Sequence, residues 1–273
     1  MPLGRSDLQV SKLGLGTLQW GDTQQGYGSR FSEDQLKEVF DTAVAGGVNF
    51  FDTAEIYGYQ SMKEGSASEQ ILGRLAKSSD QRLVLGTKFF TVPWTNAIIK
   101  ALRASLERLG IERVDLYQVH FPFPAYSQEV LAEGFAEAVD EGLVGAVGVC
   151  NYDVDQLKKF HSLMAARNIS VVSNQVKYNI FERKVEETGL LQLCRDLGVT
   201  LVAHSPLRQG LLTGAHLSRC TCHVALAYLM GKGAIPIPGA KSVEQVKDHI
   251  GALQFSLDEN EIAVIDERLQ AFK

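Results

Sequence analysis

Short apolar runs and longer amphipathic stretches alternate along almost the whole chain. The short runs, rich in Val, Leu, Ile and Phe, are typical of buried strands, whereas the longer stretches repeat apolar residues every three or four positions, as on one face of a helix. This pattern predicts strands at residues 8–10, 12–17, 48–54, 83–89, 114–120, 144–149, 171–176, 199–204 and 234–238. It predicts helices at residues 69–75, 98–109, 128–141, 154–167, 188–197, 223–231, 243–253 and 259–269.

The order of these elements predicts a closed barrel. Counting residues 14–17 as the first strand, eight strands follow one another, and helices separate them, including one capped by Ser32 and Gln35. Such alternation indicates a parallel sheet covered by helices. A doubly wound sheet would more often carry a nucleotide-binding fingerprint, but Gly14 and Gly16 are followed by Gln19 where a third glycine is required. We therefore expect one α/β domain over residues 1–273, a (β/α)₈ TIM barrel with a short N-terminal β-hairpin and an extra C-terminal helix.

Three of the predicted strands end in ionisable residues. Asp52, Lys88 and His120 each follow an apolar run, and Tyr57 lies in the loop after Asp52. In a TIM barrel the active site lies at the carboxyl ends of the strands, so these side chains should meet on one rim. A lysine at the end of a buried strand needs a nearby carboxylate to stay charged, and Asp52 is the candidate. Without Tyr57 and His120, a purely structural ion pair would be a fair alternative.

Together these side chains could reduce a carbonyl group. The ammonium of Lys88 should lower the pKa of the Tyr57 hydroxyl from about 10, which would make proton donation feasible near neutral pH. His120 could hydrogen-bond the oxygen that receives the proton and orient the carbonyl. A hydride would have to reach the carbon atom at the same time.

Composition and charge narrow the possible partners. The chain has 273 residues, of which 45% are hydrophobic and 22% charged, a profile typical of a globular protein. Its formal net charge of -5 gives no electrostatic reason to expect nucleic acid or an anionic membrane as a partner. No apolar run approaches the roughly 20 residues of a membrane span, and no secretory signal follows Met1. We expect a cytoplasmic protein, or an organellar one, for example in a plastid, if a transit peptide was removed.

The four cysteines predict neither a disulfide framework nor a metal site. Cys150 and Cys194 are isolated, and the tight cluster Cys220-Thr221-Cys222-His223 lacks a second pair of ligands elsewhere in the chain. We interpret all four cysteines as reduced thiols and expect no metal ion.

The strand-end motifs, taken in order, resemble those of the aldo-keto reductase family over nearly the whole chain. They are Phe51-Asp52-Thr53-Ala54-Glu55-Ile56-Tyr57-Gly58, Thr87-Lys88, Tyr117-Gln118-Val119-His120, Val147-Gly148-Val149-Cys150-Asn151-Tyr152, Ser173-Asn174-Gln175-Val176, Ser205-Pro206-Leu207 and Ile235-Pro236-Ile237-Pro238-Gly239-Ala240-Lys241. The resemblance implies a barrel that uses NADPH or NADP⁺, with Asp52, Tyr57, Lys88 and His120 as catalytic tetrad and Tyr57 as general acid. The hydride would then come from nicotinamide.

The same resemblance implies a set of cofactor-binding residues. Asn151 and Gln175 would hydrogen-bond the nicotinamide carboxamide, and His204 would lie against its ring. The remaining residues would contact the rest of the cofactor: Gly16, Thr17, Leu18 and Asp52 beside it; Ser205, Leu207, Gln209, Gly210 and Leu212 near the pyrophosphate; Gly239, Ala240, Lys241, Gln245 and His249 near the 2′-phosphate and adenosine. Taken alone, His204 could be a core histidine and Lys241 a solvated surface charge. Trp20, Tyr57, Trp94, His120 and Phe121 are the candidate substrate-pocket residues for a small-molecule carbonyl compound.

The chain departs from the family pattern at three places. His204 stands where the family often has a tyrosine that stacks on nicotinamide, and Cys150 replaces a common serine. After Gly214 the family usually has a long loop, whereas this chain reaches Cys222 almost at once. Either the segment that folds over the cofactor is lost, or a stretch of the natural protein is absent from this sequence. A true loss would weaken cofactor binding and speed its release.

Two functions of different classes remain open at this point. The first is an NADPH-dependent reductase of aldehydes or ketones. The second is a nicotinamide-nucleotide-sensing regulatory or binding protein built on the same barrel, in which catalysis is slow or lost. The complete tetrad favours the enzyme. The sequence predicts neither the physiological substrate nor the oligomeric state.

Overall fold

The strands form one parallel sheet that closes into a barrel. The computed structural model describes residues 1–91, 98–122, 126–211 and 220–270. Within them, the eight strands pair in sequence order: β1 (Leu15–Gly16), β2 (Phe50–Asp52), β3 (Val84–Phe89), β4 (Val114–Val119), β5 (Val144–Cys150), β6 (Val171–Lys177), β7 (Thr200–His204) and β8 (Ile235–Pro236). The N–H groups of Gly14 and Gly16 donate to the carbonyls of Pro236 and Pro238, each at 3.0 Å, so the last strand meets the first. The predicted (β/α)₈ TIM barrel is confirmed.

Helices lie between the strands, as the pattern predicts. In the described residues they are α1 (Glu33–Ala45), α2 (Ser68–Lys77), α3 (Ile98–Leu109), α4 (Gln128–Asp140), α5 (Val154–Ala165), α6 (Lys184–Glu187), α7 (Leu190–Leu197), α8 (Cys220–Gly231), α9 (Val243–Gly251) and α10 (Glu259–Gln270). Ser32 and Gln35 form the predicted capping box at the start of α1. The extra C-terminal helix is α10. Every helix among the described residues is too short or too polar to span a bilayer.

The ends of some strands and helices differ from the predicted ones. The predicted strands 48–54 and 234–238 shorten to Phe50–Asp52 and Ile235–Pro236. The four-residue helix α6 is missed, because so short a segment shows no helical period. The following helix starts at Leu190 and not at residue 188, because Gly189 precedes it in the left-handed region with a φ of 77°.

The N-terminal hairpin closes the amino end of the barrel. Its arms meet at one antiparallel bridge between Pro2 and Gln9, flanked by a hydrogen bond from Leu3 N–H to the Leu8 carbonyl of 2.9 Å. The predicted strand 8–10 is therefore one arm of a hairpin that folds back on the first residues of the chain. Leu3 and Val10, 0% and 2% exposed, pack into the apolar cluster inside the barrel.

That interior cluster lies beneath the carboxyl ends of the strands. Besides Leu3 and Val10, it contains Phe50, Val84, Leu116, Ala146, Val172, Val202, Ile235 and Ile237. Because side chains two positions apart on a strand share a face, Phe50 lies beneath Asp52 and Leu116 lies beneath Gln118 and His120. The inward-facing side chains thus change from apolar to polar towards the carboxyl ends of the strands.

Replacing Leu116 with alanine should destabilise the barrel without changing its surface. Leu116 is 0% exposed. The cavity left by Leu116→Ala should lower the free energy of unfolding by about 2 to 5 kcal/mol, measured by chemical denaturation. Val264→Ala on α10, where the side chain is 55% exposed, is the control and should change it by less than about 0.5 kcal/mol. Equal effects of the two substitutions would show that packing of Leu116 in the interior cluster does not stabilise the barrel.

Candidate active site

Lys88 and Asp52 form a buried ion pair at the carboxyl ends of β3 and β2. Their side chains are 0% and 2% exposed, and the Lys88 ammonium donates to Oδ2 of Asp52. It also donates to the Thr53 carbonyl at 2.7 Å. Burial alone would lower the pKa of Lys88, but Asp52 and, more weakly, Tyr57 and Cys150 raise it by more, so the pKa lies above its ordinary value. The lysine therefore stays charged.

Two glutamines hold the other oxygen of Asp52. The side-chain amides of Gln175 and Gln118 donate to Oδ1 at 2.7 Å and 3.1 Å. Gln175 comes from the set that the family resemblance implies, whereas Gln118 was missed. The sequence could have indicated Gln118 as a site residue, because a glutamine two positions before His120 inside an apolar run faces the same side of the strand as His120. The Cys150 thiol is a weak partner of Gln118, with Sγ 3.6 Å from Oε1.

Tyr57 lies against the lysine at the edge of the cavity. The Lys88 ammonium donates to the Tyr57 hydroxyl oxygen at 3.4 Å and lies 4.9 Å from the ring centroid. Since the hydroxyl oxygen accepts this bond, its own proton remains available to another acceptor. Burial raises the pKa of Tyr57 to about 12 and outweighs the opposing effect of Lys88. The expected net lowering of this pKa is therefore wrong, because the sequence did not reveal how deeply the hydroxyl is buried.

His120 completes the group as a neutral imidazole. Its ring lies 5.7 Å from that of Tyr57, edge to face, and stacks on Phe121 at 4.5 Å. Burial, followed by the charge of Lys88 and the proximity of His204, lowers the pKa of His120 to about 2. Nδ1 is buried and has no hydrogen-bond partner among the described residues. A neutral ring can donate one hydrogen bond and accept another, which suits a carbonyl oxygen and its proton.

A second histidine lies beside this group. His204 ends β7, and its ring nitrogens meet Ser205 Oγ at 3.1 Å and Asn151 Oδ1 at 3.3 Å. Asn151 also donates from Nδ2 to the His120 carbonyl at 3.0 Å, which links the two histidines through one amide. Burial and then Lys88 lower the pKa of His204 to about 4, so it too is neutral at physiological pH. His204 faces the cavity and is not a core histidine.

Tyr57, His120 and His204 line a cavity of about 650 Å³, within the range of ligand pockets. Lys241, Gln245 and His249, which follow β8 in the chain, line the same cavity. The Lys241 ammonium lies over the Phe31 ring at 5.7 Å and forms no ion pair among the described residues. His249 is 3% exposed, and its Nδ1 has no hydrogen-bond partner in the described part of the chain. An unpaired cation and an unpartnered imidazole nitrogen are groups that a bound phosphate and a base could satisfy.

Most of the predicted site residues line this cavity. They are Gly16, Leu18, Asp52, Tyr57, His120, Phe121, Asn151, Gln175, His204, Ser205, Leu207, Gly210, Gly239, Lys241, Gln245 and His249. Gln209 lies in the short 3-10 helix Arg208–Gly210 at the rim. Leu212 and Trp94, along with the short segment after Gly214, lie outside the described residues.

Besides Lys88, three predicted residues support the cavity from behind and do not line it. Trp20 is fully buried, and its indole N–H donates to the Ala240 carbonyl at 3.1 Å. Thr17 is equally buried and hydrogen-bonds the Asp52 carbonyl at 3.0 Å. Ala240 has no exposed surface. The prediction of Trp20 as a pocket wall is therefore corrected, because its ring faces the core beneath the segment that carries Lys241.

Several lining residues were missed by sequence reasoning. They are Gln19, Asp22, Ile56, Gly58, Tyr59, Gln60, Phe90, Pro206, Ile237 and Pro238. Phe90 matters most for the reacting end, since its ring lies 5.6 Å from that of His120 and 6.2 Å from that of Phe121. An apolar residue at a strand end is indistinguishable in sequence from a core residue.

The described residues offer no metal centre. No three His, Cys, Asp or Glu side chains among them are placed to hold a metal ion together. Cys150, Cys194 and Cys222 are free and buried.

The Aldo/keto reductase family model matches residues 12–223 and 218–270. The chain belongs to the aldo-keto reductase family. The two matched ranges meet at residues 218–223, directly after the segment where the chain is shorter than the family pattern.

Relatives and a solved structure of the family match this chain over nearly its full length. The chain is 33% identical to the chloroplastic pyridoxal reductase of Arabidopsis thaliana, over 93% of this chain and 82% of that protein. It is 32% identical to an uncharacterized oxidoreductase of Mycobacterium bovis, over 97% of this chain and 91% of the relative. The structure of the thermostable aldo-keto reductase Tm1743, solved with the inhibitor epalrestat, superposes with a TM-score of 0.82 at 31% identity and covers 98% of both chains.

The two site histidines of this aldo-keto reductase should not titrate near neutral pH. With folded pKa values of about 2 for His120 and about 4 for His204, below the ordinary 6.5, both imidazoles should stay neutral between pH 5 and 8. Because the unfolded chain binds protons more readily, their contribution to stability is complete above pH 6.5 and is lost as the pH falls towards the folded values. Histidine NMR titration checks this, with His120→Asn and His204→Asn assigning the signals. A midpoint above pH 5 for either ring would contradict it.

Proposed function

We propose that this aldo-keto reductase is an NADPH-dependent reductase of small aldehydes or ketones. One observation carries the proposal. Tyr57, whose hydroxyl accepts a hydrogen bond from the buried Lys88 ammonium beside a neutral His120, lines the same cavity as the unpaired cation of Lys241. A proton donor and a phosphate-binding charge in one cavity fit a reaction that needs a nucleotide cofactor and a carbonyl substrate.

Each catalytic residue has a definite task in this proposal. Tyr57, protonated at neutral pH, donates its proton to the carbonyl oxygen, and the adjacent Lys88 ammonium stabilises the phenolate that remains. His120 hydrogen-bonds the same oxygen and orients it. Asp52 keeps Lys88 charged and in place. The nicotinamide, when bound, supplies the hydride to carbon.

The residues along the cavity would hold the cofactor. Gln175 uses its amide N–H on Asp52, which leaves Oε1 as the acceptor for a carboxamide N–H. Asn151 and His204 form the wall beside that position. At the far end, Lys241 would meet the 2′-phosphate, with Gln245 and His249 near the adenosine. Gln245 already accepts from the Lys241 backbone N–H at 2.8 Å, so it also fixes the start of the lysine-bearing turn.

The reacting end of the cavity favours a small carbonyl compound with an apolar or aromatic body. The His120 ring lies edge to face with that of Tyr57, and Phe90 and Phe121 pack against His120, so aromatic faces and edges line this part of the cavity. The resemblance to a pyridoxal reductase places pyridoxal in the substrate panel to test, with benzaldehyde and a short aliphatic aldehyde for comparison. Localisation in the cytoplasm, or in an organelle such as a plastid, stays a prediction.

Removing the proposed acid should abolish reduction but leave cofactor binding intact. Tyr57→Phe deletes only the hydroxyl, so carbonyl-dependent oxidation of NADPH should fall by roughly 10²- to 10⁴-fold, the usual contribution of a general acid. Binding of NADPH, followed by fluorescence titration, should change little. Tyr59→Phe is the matched control, since Tyr59 is 56% exposed at the same rim.

Two results would oppose this assignment. If Tyr57→Phe turned over aldehydes at the wild-type rate, Tyr57 would not be the acid. If the wild type bound NADPH tightly but reduced none of the panel, the enzyme proposal would fail in favour of a nucleotide-sensing or regulatory barrel.

Lys241 should set the preference for NADPH over NADH. Lys241→Ala removes a charge-assisted contact to the 2′-phosphate worth about 1.5 to 3 kcal/mol, so NADPH affinity should fall by roughly 10- to 100-fold. NADH affinity should stay nearly constant. Lys247→Ala on the exposed face of α9 is the control for general charge effects. Equal affinities of the wild type for the two cofactors would rule out this role.

A further inference from the structure

The loop that carries Tyr57 is tied to the end of β3 by one carboxylate. An oxygen of Glu55, two residues before Tyr57, accepts a hydrogen bond from the backbone N–H of Phe90. Phe90 is the first residue after β3 and lies two residues beyond Lys88. The contact therefore joins the segment bearing the proposed acid to the strand bearing the lysine that tunes it.

The same contact also fixes a wall of the substrate end. The Phe90 ring packs edge to face against His120 and Phe121. If the N–H of Phe90 shifts, the ring shifts with it, and so does the space beside the Tyr57 hydroxyl. Other anchors of the loop include the backbone bonds from Thr53 N–H to the Gly86 carbonyl at 2.8 Å and from Ser68 N–H to the carbonyl of Tyr57 itself at 3.1 Å. The Ser61 hydroxyl also donates to the Gly21 carbonyl at 2.7 Å. Among these contacts, the Glu55 bond is the one that joins the loop to the residue after β3.

Glu55 makes this contact in an environment that does not favour a carboxylate. It is half-buried, and three groups face it: Glu69 on α2, Arg108 on α3 and Tyr117 on β4. The Arg108 cation is already paired with Glu69 at 2.6 Å, and that carboxylate is 1% exposed. Burial, followed by repulsion from Glu69, outweighs the Phe90 N–H and Arg108 and raises the pKa of Glu55 to about 7.

Ionised Glu55 thus opposes folding. The folded chain binds its proton more tightly than the unfolded chain does, so the stabilising effect of the protonated form is complete below pH 4.5 and is lost as the pH rises through about 7. Glu55 thus bridges two segments of the site although burial disfavours its ionised form.

We propose that Glu55 is a positioning residue for the proposed reaction, holding the Tyr57 loop and the Phe90 wall in register through its bond to the Phe90 N–H. The expected effect of Glu55 on turnover rests on the proposed reductase function. The hydrogen bond from the Phe90 N–H to Glu55 does not depend on that function. Glu55 acts through Tyr57 and Phe90 and touches no reacting atom.

The experiment compares Glu55→Ala and Glu55→Gln with Asn49→Ala. Asn49 directly precedes β2 at the opposite end of the barrel, and its side-chain oxygen accepts a backbone N–H, that of Ser11, at 2.7 Å. Asn49→Ala thus deletes the same kind of bond away from the site, together with the bond that its Nδ2 donates to the Gln9 carbonyl at 2.9 Å. Glu55→Gln keeps an oxygen acceptor for the Phe90 N–H but cannot ionise.

The first readout is hydrogen exchange followed by mass spectrometry, which needs no substrate. Glu55→Ala should speed exchange in peptides covering residues 53–60 and 88–91, whereas Asn49→Ala should not. Glu55→Gln should restore most of the protection. It should also raise the midpoint of thermal unfolding at pH 8 by about 2 to 4 °C, because it removes the ionised carboxylate.

The second readout is NADPH-dependent reduction of the aldehyde panel. Glu55→Ala should lower kcat by roughly 10- to 100-fold with a small change in KM for NADPH, and Glu55→Gln should recover most of the rate.

Unchanged exchange in Glu55→Ala, or a loss of kcat no larger than that of Asn49→Ala, would overturn the proposal. A wild type that binds NADPH but reduces no aldehyde would defeat the proposed function instead, and the exchange result would still decide whether Glu55 holds the loop.

Discussion

The buried ion pair between Lys88 and Asp52 is the interaction on which the site depends. Two charges without solvent are stable together only if their remaining hydrogen-bonding capacity is filled, and removing one partner commonly costs about 3 to 5 kcal/mol. The closed parallel barrel supplies the partners for these remaining hydrogen bonds. Asp52 pairs in register with Gly86, two residues before Lys88, so neighbouring strands bring the opposite charges to one level. Gln118 and Gln175 from β4 and β6 then complete the carboxylate.

Burial and one cation together set the charge of the groups around Lys88. Burial, followed by the charge of Lys88, works against protonation of His120 and His204, so both rings stay neutral in spite of the nearby carboxylate of Asp52. At Tyr57 the two effects oppose each other, and burial wins. The result is a site with a single cation, a protonated phenol and two neutral imidazoles. If the phenol gives up its proton, the negative charge left on Tyr57 lies beside the Lys88 ammonium, which would stabilise it.

The departures from the family pattern have local explanations in the fold. Cys150 keeps a weak contact with Gln118 and thereby stays next to the group that holds Asp52. His204 is fixed by Ser205 and Asn151, which both adopt positive φ angles of 54° and 61°. Those angles are costly for residues other than glycine and persist where the surroundings hold the backbone firmly. His204 is thus a well-anchored cavity wall, although it offers less ring area than a tyrosine.

The sequence by itself determined the barrel, the rim on which the candidate site lies and the placement of Asp52, Tyr57, Lys88 and His120 on that rim, because strand and helix periods and strand ends are local features of the chain. It did not reveal Gln118 as a partner of Asp52, the role of Trp20 as a support, Phe90 as a pocket wall or the carboxylate of Glu55 between two segments. Each of these depends on contacts between residues far apart in the chain. The direction of the Tyr57 pKa was decided only by the tertiary structure, since desolvation depends on how completely other elements cover the hydroxyl, and local sequence carries no measure of that.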